Sequence, residues 1–204
     1  MPATIPFGPL QIAYDARVLR PRPWTALQAQ WAAELLLTAP PGPFLELCAG
    51  VGHIGLLAAR LAGGFRRLVQ VDESAAAQEL ARENAARAGL PKLIDYRRRP
   101  MQDALEPAER FALVIADPPW VPTGQTGQHP DDPADAIDGG PDGLVVARAC
   151  VDLAVLHLLP GASLLIQLGD RDQARRLADQ VVGVKPLGVR EGEGGVVARF
   201  RSVV

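Results

Sequence analysis

Apolar and polar positions alternate between two periods along the chain, and that alternation lays out strands and covering helices in turn. Short apolar runs of the kind seen in strands buried on both faces occur at residues 44–47, 67–72, 93–99, 111–116 and 163–168. Between them a helical period predicts helices over residues 25–37, 53–61, 74–88, 142–159 and 170–182. Thr25 is placed to cap the first helix, whose inner face carries Leu27, Trp31 and Leu35, and Gly89-Leu90-Pro91 stops the third. Two last strands, 184–190 and 195–203, flank a Gly-Glu-Gly-Gly turn and read as a hairpin. The pattern predicts a doubly wound α/β fold, a mostly parallel sheet of seven strands ending in an antiparallel hairpin. Residues 1–23, rich in proline and without periodicity, are expected to lie extended over it as an arm.

Composition narrows this to one domain spanning residues 1–204. The chain is long enough for one good core and short for two, and 48% hydrophobic with 22% charged residues is a globular balance. A net charge of −2 gives no global field for nucleic acid, so any RNA contact must be local. Candidates for such contact are Arg66-Arg67, Arg97-Arg98-Arg99 and Arg175-Arg176, although arginines on an edge strand also guard against aggregation. The longest apolar stretch, 144–168, is broken by Arg148, Asp152, His157 and Pro160-Gly161, which excludes a membrane span. The amino terminus lacks a charged start followed by an apolar core, so no signal peptide is expected. Cys48 and Cys150 sit in apolar surroundings and read as reduced thiols of a cytoplasmic protein, and no His/Cys spacing suggests a metal.

The chemistry begins where the first buried strand breaks into small residues, Cys48-Ala49-Gly50-Val51-Gly52-His53. A strand, a tight glycine turn and a helix in this order form a ligand cradle, because glycine takes positive φ and lets a ligand approach the backbone. Gly50, Gly52 and Gly55 spell the dinucleotide fingerprint, and Asp72 follows at about the spacing a ribose contact needs, which keeps an NAD-dependent oxidoreductase open. Glu46, expected at the mouth of the strand, would instead repel a pyrophosphate and suit a cationic ligand. Asp72, at the tip of the second strand, offers two acceptor oxygens to ribose hydroxyls in either case.

The fourth strand ends in Asp117-Pro118-Pro119-Trp120. Two prolines remove two backbone donors and stiffen the corner, freeing the Pro118 carbonyl to point into a site beside the Asp117 carboxylate. Two adjacent acceptors suit a substrate NH2, one hydrogen each, and Trp120 supplies a flat stacking face. The polar loop 121–140, with His129 and several aspartates, has the length of a lid or binding segment. Trp24 is a candidate pocket wall.

These motifs resemble a known family. Glu46-x-x-x-Gly50-x-Gly52 is similar to the first motif of class I methyltransferases that use S-adenosylmethionine (SAM), with Cys48 where that family more often has glycine. Asp117-Pro-Pro-Trp120 is similar to their D/N-P-P-Y/F/W motif, used on amino groups of adenine, guanine or glutamine amides. Asp138-Gly-Gly-Pro-Asp-Gly-Leu144 and Val18-Leu-Arg-Pro-Arg-Pro23 resemble the D-G-G-x-D-G-L and V-L-I-P-R-P segments of the HemK/PrmC family. The resemblance implies a Rossmann-like methyltransferase fold with Glu46, Cys48, Ala49, Gly50, Gly52, Asp72 and Asp103 at SAM, Asp103 taking the adenine amine. It implies Asp117, Pro118 and Trp120 at the reacting nitrogen, and Pro119, Trp24 and Asp138 beside the acceptor. The chain departs from N-P-P-Y at both ends, carries Trp24 where the family has Glu, and has only a short segment where the family has a helical domain. The acceptor therefore stays open among protein, RNA and small molecule, with a non-catalytic binding module as the other reading.

Overall fold

The computed structural model describes residues 2–203. Its main sheet is built from β3 (Phe44–Leu47), β4 (Leu68–Asp72), β5 (Ile94–Arg98), β6 (Phe111–Ala116), β7 (Leu158–Leu168), β8 (Val184–Gly192) and β9 (Gly195–Ser202). The spatial order is β5-β4-β3-β6-β7-β9-β8. The first five run parallel, and β9 returns antiparallel to both β7 and β8. The sheet is the seven-stranded, doubly wound one expected, and its chain order reverses between β3 and β6. In such sheets, ligands bind at the crevice opened by that reversal, beyond the carboxyl ends of the strands.

Helices α1 (Ala26–Leu36), α2 (His53–Leu61) and α3 (Ala75–Arg87) cover one face, and α5 (Val145–His157) and α6 (Arg171–Gln180) the other. The two-residue period of the strands divides the core between them. Phe44, Leu113, Ile115 and Leu165 meet Trp31, Leu36 and Leu56 on the first face. Leu45, Leu47, Val114 and Ile166 meet Ala147, Val151 and Leu177 on the second. Each such Leu or Ile contributes ~1.5–3 kcal/mol by leaving water, and together they fix the strand ends that carry the site.

Three elements differ from the expectation. The amino-terminal arm pairs with itself, β1 (Ala3–Phe7) against β2 (Leu10–Tyr14), around a Gly8 with φ of 58°. Period-two burial had been hidden by the prolines: Phe7, Leu10, Ile12 and Ala13 are buried, and Asn84 of α3 bonds both the Ala13 N–H (2.7 Å) and carbonyl (3.1 Å). β7 begins at Leu158 rather than 163, because Leu158 pairs with Phe111 and the irregular Pro160-Gly161 is absorbed in a register shift. Loop 121–140 holds a 3-10 segment (Thr123–Gln128) and a one-turn helix α4 (Ala134–Ile137), and closes on itself where Val121 bonds Ile137 and Gly139. Among the described residues, no helix is long and apolar enough to cross a membrane.

Candidate active site

The glycine turn is held from beneath. Glu46 accepts the Gly55 N–H at 2.9 Å and the Gln70 amide at 2.7 Å, and the same amide reaches the Gly52 carbonyl at 3.1 Å. Glu46 was expected to face the ligand at the strand mouth. It is instead 2% exposed and outside the cavity walls, so its part is to brace the turn. Burial pushes its carboxyl up to about 8, with Asp117 and Asp72 adding to the effect against the two hydrogen bonds. A methyl at Gly55 would collide with this carboxylate, and one at Gly52 would come within 2.6 Å of Gln70. Gly52 therefore lies under the cradle.

Gly50 is different. With φ at 51°, it has nothing within 4 Å of where a side chain would start, so its backbone faces open space. Its N–H donates to Asp72 Oδ2 at 2.7 Å, and its carbonyl accepts from Tyr96 at 3.2 Å. The other Asp72 oxygen accepts from Ser74 N at 2.9 Å, and burial raises the carboxyl above its ordinary value. Cys48 is the one non-glycine residue at positive φ (55°) among the described residues. Its Sγ lies 3.9 Å from Cys150 Sγ, and both are free thiols. The hydrogen bond with the Cys150 thiol, and then burial, push the Cys48 thiol well up, so it stays protonated.

Above this turn lies a cavity of about 400 Å³ lined by Cys48, Ala49, Gly50, Asp72, Asp117 and Asp138, among others. Beside it is a second of about 220 Å³ with walls that include Trp24, Pro118, Trp120, His129 and Gln167. Leu19, Arg22, Thr25, Asp117, Pro119 and Ala136 line both. The proline corner is thus the partition between the two. Burial pushes the Asp117 carboxyl up to about 7. Trp120 packs over Gly169, where an added methyl would meet its ring at 2.7 Å, and its carbonyl accepts from Gln173 at 2.8 Å. Trp24 lies against Gly194 of the β8–β9 turn, whose missing side chain leaves room for the indole.

Two expected positions fall elsewhere. Asp103 is exposed and outside both walls, while its neighbours Met101 and Gln102 line the larger cavity. Of the 3-10 turn of 101–103, half-buried Met101 and exposed Gln102 reach the cavity wall and Asp103 does not. Asp138 lines the larger cavity rather than the smaller, and its Oδ1 is engaged by Thr123 Oγ1 (2.7 Å) and Gly140 N (2.9 Å), which hold its carboxyl below the ordinary range.

Sequence reasoning missed His53 and Gln28, and it read Thr25 as a helix cap, whereas the Thr25 side chain makes no cap bond to α1. Thr25 Oγ1 donates to the Arg22 carbonyl at 2.8 Å and so accepts from His53 Nε2 at 3.2 Å. Burial lowers the imidazole to about 4, keeping it neutral. The position of Thr25 directly after the arm's Pro-Arg-Pro-Trp was the available signal; a lone His inside a glycine turn carries none. Arginine clusters do not gather at the site. Arg66 bonds four carbonyls at the end of α1 and the segment after it, Arg97 is paired with Asp95 and Glu109, and Arg175 and Arg176 with Asp172. Of the three clusters, Arg99 lines the larger cavity.

Comparison with known proteins bears on the family and the fold. Residues 29–129 match the model of the methyltransferase small domain. A release factor glutamine methyltransferase of Mycolicibacterium smegmatis is 34% identical over 178 residues, covering 84% of this chain and 61% of that protein. A ribosomal protein uL3 glutamine methyltransferase of Burkholderia pseudomallei is 30% identical over 168 residues, covering 76% and 54%. The chain thus spans less than two thirds of the length of these relatives. The hMettl16 catalytic domain, solved with an RNA hairpin, shares the fold with a TM-score of 0.74 at 14% identity, over 96% of this chain and 75% of that one. Glycine cradle, proline corner and terminal hairpin, with these relatives, place the chain in the HemK/PrmC-like methyltransferases.

Proposed function

We propose that this chain transfers a methyl group from SAM to the nitrogen of a planar NH2 group on a protein side chain. The single observation that carries the reading is that Asp117 and Pro119 line both cavities, so a nitrogen held at the corner from the smaller one meets a ligand in the larger one. SAM fits the larger cavity by the chemistry of its walls. Gly50 leaves open space where a side chain would stand, each Asp72 oxygen keeps a lone pair beyond the N–H it accepts, and 400 Å³ is the volume of a nucleotide-sized ligand site. When bound, SAM supplies an activated methyl on a good leaving group.

The chain's own residues do the rest by placement. Asp117 accepts hydrogen bonds from the NH2 and turns its lone pair toward the shared wall; its carboxylate then stabilises the positive charge that grows on nitrogen. Pro118 and Pro119, lacking N–H groups, leave their corner with acceptors only. Orienting two reactants in this way is worth ~7 kcal/mol or more. Trp24 and Trp120 offer flat apolar walls that exclude water from the smaller cavity. The relatives' names favour a side-chain amide as acceptor.

Calorimetry with SAM, followed by labelled SAM in cell extract, tests the proposal. Binding in the micromolar range and label in a protein fraction are expected from the wild type, with Asp117→Ala retaining binding and losing transfer. Absence of SAM binding, with NADH bound in a fluorescence titration, would return the chain to the oxidoreductase reading. SAM binding with no transfer into protein, RNA or small molecules would leave a binding module.

A further inference from the structure

Gln28 lies in the first turn of α1 with no solvent exposure at all. Its Nε2 donates to the carbonyl of Ala116 at 2.8 Å and to that of Leu165 at 3.1 Å. Ala116 is the last residue of β6, immediately before Asp117. The peptide joining 116 to 117 sends its N–H to the Leu47 carbonyl of β3 over a long 3.4 Å, and being planar and trans it sends the Ala116 carbonyl the opposite way, toward β7. The next two residues are prolines with no donor to offer, so the ladder has no further backbone N–H with which to hold the corner. A side chain from the covering helix does so instead.

The amide orientation is forced, because the reverse one would set an oxygen against two carbonyls. Gln28 Oε1 is then left buried with no partner. An apolar side chain of similar size would avoid that desolvation cost, and natural chains keep such a penalty at functional sites. Gln28 also follows Trp24 and Thr25, which line the cavities, by less than a helical turn and a half. We infer that Gln28 is a positioning residue that sets the Asp117-Pro118 corner relative to the Trp24 wall, rather than a residue kept for stability. It touches neither cavity, and its role in catalysis rests on the methyl-transfer reading given above.

Gln28→Leu and Gln28→Met test this, the second following the unbranched shape of glutamine in case the first disturbs packing. In both, amide hydrogen exchange at residues 117, 120 and 121 is expected to quicken at least ~10-fold, with residues 44–47 unchanged. SAM affinity should stay within ~2-fold, and the melting temperature should fall by no more than ~5 °C, because loss of the donor to two buried carbonyls is partly offset by removal of the unpartnered Oε1. Transfer of label from SAM to extract should drop ~10–100-fold in rate, as a displacement of about 1 Å can cost. A melting temperature that falls while exchange at the corner and transfer per folded molecule stay unchanged would overturn the inference in favour of a structural role. If wild-type protein transfers no label, the methyl-transfer reading fails; exchange at the corner still decides whether Gln28 holds it.

Discussion

Arg22 grips both carboxylate oxygens of Asp132, at 2.6 and 2.5 Å, and so ties the arm leading into α1 to the loop of residues 121–140. Both residues line the smaller cavity, and Arg22 lies over the Trp24 ring, 5.6 Å from its centroid. Both bonds leave the single Nη2, so the geometry is not the two-nitrogen fork; partial burial of the pair is what lets it contribute more than the 0–1 kcal/mol of an exposed one. Asp132→Ala is expected to release the loop while leaving the glycine cradle in place. Hydrogen exchange over residues 123–137 should rise, the acceptor's KM should rise about tenfold, and the dissociation constant for SAM should move less than threefold. Equal losses for both ligands would show that the pair supports the whole site.

The pH dependence follows from Asp117. Its carboxyl is pushed up to about 7 by burial, against an ordinary value near 4. The ionised form is the one that accepts an NH2 hydrogen beside the Pro118 carbonyl and faces the growing positive charge. The transfer rate in the wild type should therefore climb with pH and level off above about 7, and Asp117→Asn should lose that limb along with most of the rate. Stability has the opposite sign. Between about 4 and 7 the folded state binds this proton and the unfolded state does not, so stability falls as pH rises through that window. Glu46, pushed up to about 8, extends the same trend. Asp117→Asn should then be more stable than wild type at pH 8, by ~1–3 kcal/mol, and nearly equal to it at pH 4. Urea titrations at the two pH values measure this.

Cys48 occupies a backbone conformation that side chains resist, at φ of 55° beside the ligand cavity. Branching at the β-carbon makes that conformation worse, while glycine accepts it freely. Cys48→Val should cost ~1–3 kcal/mol and weaken SAM binding as the turn shifts. Cys48→Gly should remain within ~1 kcal/mol of wild type, since relief of strain offsets the freedom gained by the unfolded chain. A valine variant as stable as wild type would mean that the turn adjusts without cost.

Much of this arrangement could be read in the sequence because it depends on local rules. The apolar runs at 44–47 and 111–116 needed no partner to be recognised as buried strands, and Asp117-Pro-Pro-Trp announced a corner by what its prolines cannot do. Asp72 was legible as a cavity residue because a strand tip and a glycine turn define the same crevice. Other features depend on what arrives from elsewhere in the chain. Glu46 looked like a ligand contact because nothing local reveals that Gln70, its register partner on β4, would claim it. The hairpin of residues 3–14 depends on α3 for its burial, and Gln28 reads as an ordinary helix residue until two carbonyls from distant strands meet it. Asp103 lies one residue beyond Gln102, the last residue of the 3-10 turn to reach the cavity wall.

The two glycines of the turn allow the cradle to be separated from its support. A methyl at Gly50 would enter open space inside the larger cavity, whereas one at Gly52 would meet the Gln70 amide, which also bonds Glu46. Both sit at positive φ, so each alanine variant carries a backbone cost of ~1 kcal/mol. Gly50→Ala should pay little beyond that in stability and should lose SAM affinity by ~10–100-fold, because the methyl takes the place of ligand. Gly52→Ala has a further cost, since its methyl must displace a buried amide whose two partners cannot follow. A total loss of ~2–4 kcal/mol is expected there, with a smaller direct effect on affinity once measured below the melting transition. Thermal melts with and without SAM distinguish the two: SAM in large excess should stabilise Gly52→Ala nearly as much as wild type, and Gly50→Ala by ~1.4–2.7 kcal/mol less, the equivalent of its lost affinity.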